Sequence, residues 1–198
     1  MEQITALFLG PQGCGKGTQI NLLKSFLKEK DPHRPIVHLE MGAELRAFGT
    51  EGGYTQDLID ASLKRGELQA AFITTYVMAR FFIKHVTGNE HVIIDGFPRS
   101  LEQFSDFNSM MELYQRKNPF VFWIEISDET ALKRLLARGR NDDTEESIRN
   151  RLSWSRKQVT EALQKFRSMP EYRIVEIDGE REIEAVHRDI MHAIFGEK

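Results

Sequence analysis

Thiols are almost absent from this chain: of its 198 residues only Cys14 is a cysteine, so no internal disulfide can form and no cysteine cluster can hold zinc. Long apolar runs are missing as well. No stretch approaches the roughly 18 apolar residues of a membrane span, and the apolar run from Ile4 ends at Gly10 without the basic flank of a secretion signal. A cytoplasmic protein is expected. Excess charge of one sign is also lacking. A formal net charge of −3 argues against nucleic acid or an anionic membrane as main partner, while local arginine clusters can still bind a small anion. With 40% hydrophobic content the chain can bury one ample core, and no second full domain fits comfortably.

What is present is alternation. Short apolar runs at Ile4–Leu9, Ile36–Leu39, His91–Asp95, Phe120–Ile126 and Arg173–Ile177 read as strands buried on both faces. Between them lie helical patterns at Thr18–Lys30, Leu101–Tyr114, Asp128–Ala137, Glu145–Phe166 and Arg181–Phe195. Alternation of this kind predicts an α/β fold with a parallel sheet. The region Met41–Val86, broken by Gly42, Gly49, Gly52, Gly53 and Gly66, predicts an inserted helical lobe. Aromatic and methionine residues such as Phe81, Phe82, Trp123, Trp154, Met110 and Met111 fall at helical or strand spacing and are assigned to packing.

The first strand leads into Gly10-Pro11-Gln12-Gly13-Cys14-Gly15-Lys16-Gly17-Thr18 and then a helix, the context of a phosphate-binding loop. Glycines let several N–H groups turn inward on a polyphosphate, the helix adds its positive end, and Lys16 reaches the terminal phosphates. The hydroxyl arrives at Thr18 instead of directly after the lysine, because Gly17 intervenes. Cys14 reads as a small residue tolerated in the loop, with a redox-sensitive thiolate beside Lys16 as the alternative.

Ligands of an open parallel sheet sit beyond the carboxyl ends of its strands. There the run Ile93-Ile94-Asp95-Gly96-Phe97-Pro98-Arg99 ends a strand in an aspartate, a candidate for orienting Mg²⁺ through its water shell. Arg99, on a proline turn, reads as a phosphate clamp. After the fourth strand come Arg134 and Arg138, four apart on one helical face, then Arg140, Arg149 and Arg151. That density calls for an anion, although Asn141–Glu146 could pair with some of them and cap the next helix.

The motifs GPQGCGKGTQ, DGFPRSLEQ and RNDDTEESIRNRL, in this order and at these separations, resemble those of adenylate kinases over nearly the whole chain. The resemblance implies a P-loop three-layer fold around five parallel strands, with a nucleoside-monophosphate-binding lobe at about residues 40–84 and a short lid at about 138–144. It implies Mg-dependent, reversible transfer from ATP to AMP giving two ADP, without structural zinc, by a monomer whose partners are nucleotides. ATP would lie on Gly13, Cys14, Gly15, Lys16, Gly17 and Thr18, approached by Arg134 and Arg138, with Arg181 near its adenine. The acceptor phosphate would be gripped by Arg46 and Arg99, and the adenine edge read by Gln103. Met41, Gly96, Glu67, Leu68 and Gln69 would complete that site, the last three partly through main chain. Arg140 and Arg151 would neutralise the transferring group beside Lys16 and Arg99. Mg²⁺ would take Asp95 through water, with Thr18 as a further ligand.

Two departures from the family pattern stand out. Met41 occupies the place of a threonine that hydrogen-bonds near the acceptor base, and a thioether cannot replace that hydroxyl. The lid is shortened until only Gly139 separates Arg138 from Arg140. The first leaves a UMP/CMP or broader-specificity kinase as the alternative to AMP, with an inactive nucleotide-binding regulatory module as a third reading. The second predicts less complete exclusion of water, and so ATP hydrolysis without acceptor.

Overall fold

The computed structural model describes residues 1–139 and 144–196. Among them the strands are β1 (Thr5–Leu9), β2 (Ile36–Glu40), β3 (His91–Asp95), β4 (Phe120–Glu125) and β5 (Arg173–Asp178). The helices are α1 (Lys16–Lys30), α2 (Met41–Gly49), α3 (Tyr54–Lys64), α4 (Ala71–His85), α5 (Leu101–Leu113), α6 (Asp128–Arg138), α7 (Glu145–Arg167) and α8 (Ile183–Phe195). All pairings are parallel, in the order β2-β3-β1-β4-β5, with helices on both faces of the sheet. The fold is α/β, as the alternation predicts. No helix among the described residues is long and apolar enough to cross a membrane.

β1 is buried along its whole length because it is central, with a neighbour and a helical layer on each side. One face of the sheet buries Leu7, Ile94 and Val121 with Phe97, Phe107 and Phe166 from the overlying segments, and the other buries Phe8, Ile93 and Phe122 against Ile20, Leu23 and Ile190. Each large aliphatic or aromatic side chain so buried contributes about 1.5–3 kcal/mol.

Helix boundaries follow local chemistry. The Ser100, Ser127 and Thr144 hydroxyls accept from the N–H groups three residues on, starting α5, α6 and α7, and Gly139 at φ 64° stops α6. The helix expected from Thr18 begins two residues earlier, where left-handed Gly15 turns the chain directly into it. The one expected from Arg181 begins at Ile183, since Arg181 is held in the preceding turn by the Asp178 carbonyl. The Met41–Val86 region contains α2, α3 and α4, but α4 is no loose appendage: Val77, Met78 and Phe82 join the main core.

Register then sets the site. Phe8 and Glu40 both pair with Asp95, so the carboxyl ends of β1, β2 and β3 lie side by side. β1 has β3 on one side and β4 on the other, so the loop after β1 occupies the point where the strand order reverses.

Candidate active site

Beyond those strand ends opens a cavity of about 480 Å³. Its floor is the loop from Gln12 to Thr18, its walls are α2, the turn 66–69 and α4 on one side, and α6 and α7 close the other.

The glycines of the loop divide into two kinds. A Cβ on Gly10 (φ 139°) would lie 2.2 Å from the Ile124 carbonyl, so that glycine is required by the fold. Gly15 is required by its left-handed backbone (φ 95°), but at Gly15 and Gly17 alike a Cβ would meet nothing within 4 Å. Both line the cavity, so the space beside them suits a ligand approaching the main chain. α1 opens there with no acidic residue in its first turn to neutralise its positive end. Lys16 Nζ donates to the carbonyls of Gly10 (3.0 Å) and Pro11 (2.8 Å), which holds the ammonium under the loop. Cys14 packs into the core beneath, with its N–H turned to the Pro11 carbonyl at 3.4 Å, so its side chain does not face the cavity.

Across the cavity from the Lys16 loop the cations converge. Arg99 Nε donates to the Gly96 carbonyl at 2.6 Å, which curls the side chain back over its own turn. Burial pulls the Arg99 guanidinium below the ordinary arginine range; Asp95 opposes this shift, while the like charges of Arg151 and Arg46 add to it. Three cations brought within reach of one another inside a cavity make a place for an anion. Arg46 folds against Gly42, where a Cβ would lie 3.3 Å from its Nη1, and pairs with Glu40 at 3.5 Å. Arg151 donates to Gln12 Oε1 at 2.8 Å, tying α7 to the loop.

Of the remaining expected residues, Met41, Gly96, Glu67, Leu68, Gln69 and Gln103 all line the cavity. Met41 is only 2% exposed, with its thioether in the core edge. Gln103, 1% exposed, accepts the Arg99 N–H at 2.7 Å and donates to Thr74 Oγ1 at 3.0 Å, leaving one lone pair and one N–H for a base. Arg134 and Arg138 line the α6 wall of the cavity, and Arg134 also bonds the carbonyls of Gly13 and Gly179, bracing the loop. Arg140 lies outside the described residues. Arg149 pairs with Glu145 on the exposed face of α7, and Arg181 pairs with Asp189; neither lines the cavity.

The sequence comparisons agree with this geometry. The family model described as adenylate kinase matches residues 8–170. The chain belongs to the adenylate kinase family. It is therefore a phosphotransferase of the nucleoside monophosphate kinase class. It is 32% identical over 186 residues to the adenylate kinase of Prochlorococcus marinus (strain MIT 9301), covering 93% of this chain and 94% of the relative. To that of strain MIT 9211 it is 33% identical over 189 residues, covering 95% of each. The adenylate kinase of Synechococcus sp. (strain RCC307) is 32% identical over 188 residues, covering 95% of this chain and 97% of the relative.

Among the cavity residues that the sequence reading did not assign to the site, Trp154, Glu40 and His38 carry chemistry. Trp154, assigned to packing, lines the cavity and places its ring 5.7 Å from the Arg99 guanidinium carbon. The usable signal was its position three residues after Arg151, on the same face of α7. Glu40 ends β2, so the rule that exposed Asp95 would have found it too. His38 lines the cavity from β2; burial, with Lys24 nearby, pulls its imidazole below the usual range, against the pull of Asp95 and Glu40. Among the described residues its Nε2 has no hydrogen-bond partner.

For a divalent ion the donors are few. Asp95 and Thr18 both line the cavity, one carboxylate and one hydroxyl. Such a set suits Mg²⁺ that keeps waters and phosphate oxygens rather than an ion caged by protein. Among the described residues no group of three His, Cys, Asp or Glu is placed to hold a metal.

Proposed function

We propose that this chain transfers a phosphoryl group reversibly from ATP to AMP, giving two ADP, with the donor phosphates over residues 13–18 and the acceptor phosphate between Arg46 and Arg99. The observation that carries this reading is the convergence of Arg46, Arg99 and Arg151 in the cavity that opens on the Lys16 loop. An acceptor monophosphate, with a second pKa of about 6, is already largely dianionic at neutral pH and needs no general base. Catalysis then consists of alignment and positive charge. The loop N–H groups and the α1 end hold the β- and γ-phosphates, and Lys16 exchanges its two carbonyl partners for phosphate oxygens. Arg99 and Arg151 offset charge on the group in transit, with Arg140 entering from the lid segment at 138–144. Asp95, with Thr18, would hold Mg²⁺, which when bound neutralises and orients the donor phosphates.

The base-binding part supports a second reading. Met41 offers a thioether, and the Gln103 amide is half committed to Arg99 and Thr74. Both features favour broader acceptor use. Coupled assays with AMP, dAMP, UMP and CMP test the choice. The expected order puts AMP first; a preference for UMP or CMP selects the second reading, and no transfer to any acceptor refutes both.

A further inference from the structure

The two sides of the cavity are joined at Trp154. Its indole Nε1–H donates to the Gly66 carbonyl at 2.9 Å, in the turn that leads into Glu67, Leu68 and Gln69. The same ring carries the Arg99 guanidinium at 5.7 Å, close enough for the cation to feel the ring face. One turn earlier on α7, Asn150 Nδ2 donates to the Arg65 carbonyl at 3.2 Å. Contact with α7 is so close that a Cβ on Gly66 would stand 2.3 Å from the Ser147 carbonyl oxygen. The helix carrying Arg151 therefore grips the turn between α3 and α4 directly.

We infer that Trp154 is a positioning residue for the acceptor nucleotide, holding the turn at Gly66 and the guanidinium of Arg99 at a set separation. The inference rests on the acceptor assignment made above. That turn and that guanidinium are the two ends a monophosphate would span, one near its base and the other at its phosphate. A half-buried indole has the shape to do this: its N–H lies at the edge and its π face at right angles to it, so one rigid plane fixes both partners. Neither partner belongs to the donor loop, so the effect on binding falls on the acceptor.

The test is a pair of variants assayed with both substrates. Trp154→Phe keeps a ring for Arg99 but removes the N–H. The KM for AMP should rise about three- to tenfold, the range a single hydrogen bond supplies. Trp154→Leu removes the ring as well and should raise it by roughly a further two- to fivefold. The KM for ATP should stay within about twofold, a split that general loosening of the fold would not produce. Independently, AMP without ATP should change the tryptophan emission of the parent protein. In Trp154→Phe, which keeps Trp123, that change should vanish. Equal rises in both KM values, an unchanged KM for AMP, or the same emission response in Trp154→Phe would each overturn the inference. Arg46→Ala tells the two failures apart: if it raises the KM for AMP while Trp154→Phe does not, only the positioning role falls. If neither does, the acceptor assignment falls with it.

Discussion

Replacing Lys16 by methionine removes one positive charge while keeping the length and apolar stem of the side chain, so it separates electrostatics from packing. In the folded protein the ammonium makes two carbonyl hydrogen bonds, at 3.0 Å to Gly10 and 2.8 Å to Pro11, and a longer contact of 3.4 Å to Cys14 Sγ. A charged hydrogen bond contributes about 1.5–3 kcal/mol when it stays buried, but Lys16 lines the open cavity, where water can take the place of its ammonium. A net loss of about 1–2 kcal/mol of stability follows. For a chain of 198 residues, at about 2–4 °C per kcal/mol, that is a fall in Tm of roughly 2–8 °C. Catalysis should suffer far more. A fixed donor aimed at charge that develops in the transition state is worth about 2.7–4 kcal/mol, so kcat should fall roughly 100- to 1000-fold. Thermal unfolding followed by circular dichroism and a coupled ADP assay measure the two effects on one sample. A kcat within tenfold of the parent, in a protein of unchanged Tm, would refute the place given to Lys16.

Four further outcomes follow from other parts of the molecule. Glu90 (0% exposed) and Arg116 (3%) form a buried pair below the sheet, with Glu90 also accepting from the N–H groups of Thr87, Gly88 and Asn89. Arg116→Met should cost about 3 kcal/mol in urea unfolding, the low end for a stranded buried charge, since those N–H partners remain; a loss below about 1 kcal/mol contradicts this. Burial raises the Glu90 pKa, but the Thr87 and Gly88 bonds and the Arg116 charge outweigh it and hold the carboxyl low. Its contribution to stability is therefore complete above the unfolded value of about 4.3 and is lost as pH falls through the lower folded value, so unfolding midpoints should drop below about pH 4. Gly66→Ala combines a left-handed φ of 70° with a Cβ 2.3 Å from the Ser147 carbonyl oxygen. It should destabilise by about 2–5 kcal/mol, and a near-neutral melting curve would mean α7 can yield there. Finally, a lid reduced to the neighbourhood of Gly139 should let water reach the donor, so phosphate release from ATP alone should be measurable; a rate negligible beside AMP-stimulated transfer rejects the idea.

What could be read directly from the chain was whatever is encoded within a few residues. The loop is a strand, a glycine spacing and a helix in one continuous segment, and its geometry needs no distant partner. Asp95 and Arg99 were legible because strand ends of a parallel sheet are known in advance to face the ligand. Five short strands alternating with helices already determined the α/β class, but only β1, β3 and β4 are buried nearly throughout; β2 and β5, expected to be buried on both faces, are edge strands and stay half open. Tertiary structure alone decided which helical faces meet the cavity. Periodicity marks Trp154 as a residue on the inward stripe of α7, but a stripe that faces a core and one that faces a substrate have the same spacing. Glu40 became visible as an Arg46 partner only when the turn into α2 brought the two within 3.5 Å. Arg181, two residues after Gly179, reads from the sequence as a donor contact, whereas in the folded chain it pairs with Asp189 of α8 and does not line the cavity. The division has one physical origin: hydrogen-bonded turns and apolar spacing are written along the chain, whereas the direction a cation or an indole takes depends on which charges and carbonyls the fold sets beside it, whether a few residues away, as for Glu40 and Arg46, or 50 to 90, as for Gly66 and Trp154 or Arg99 and Arg151.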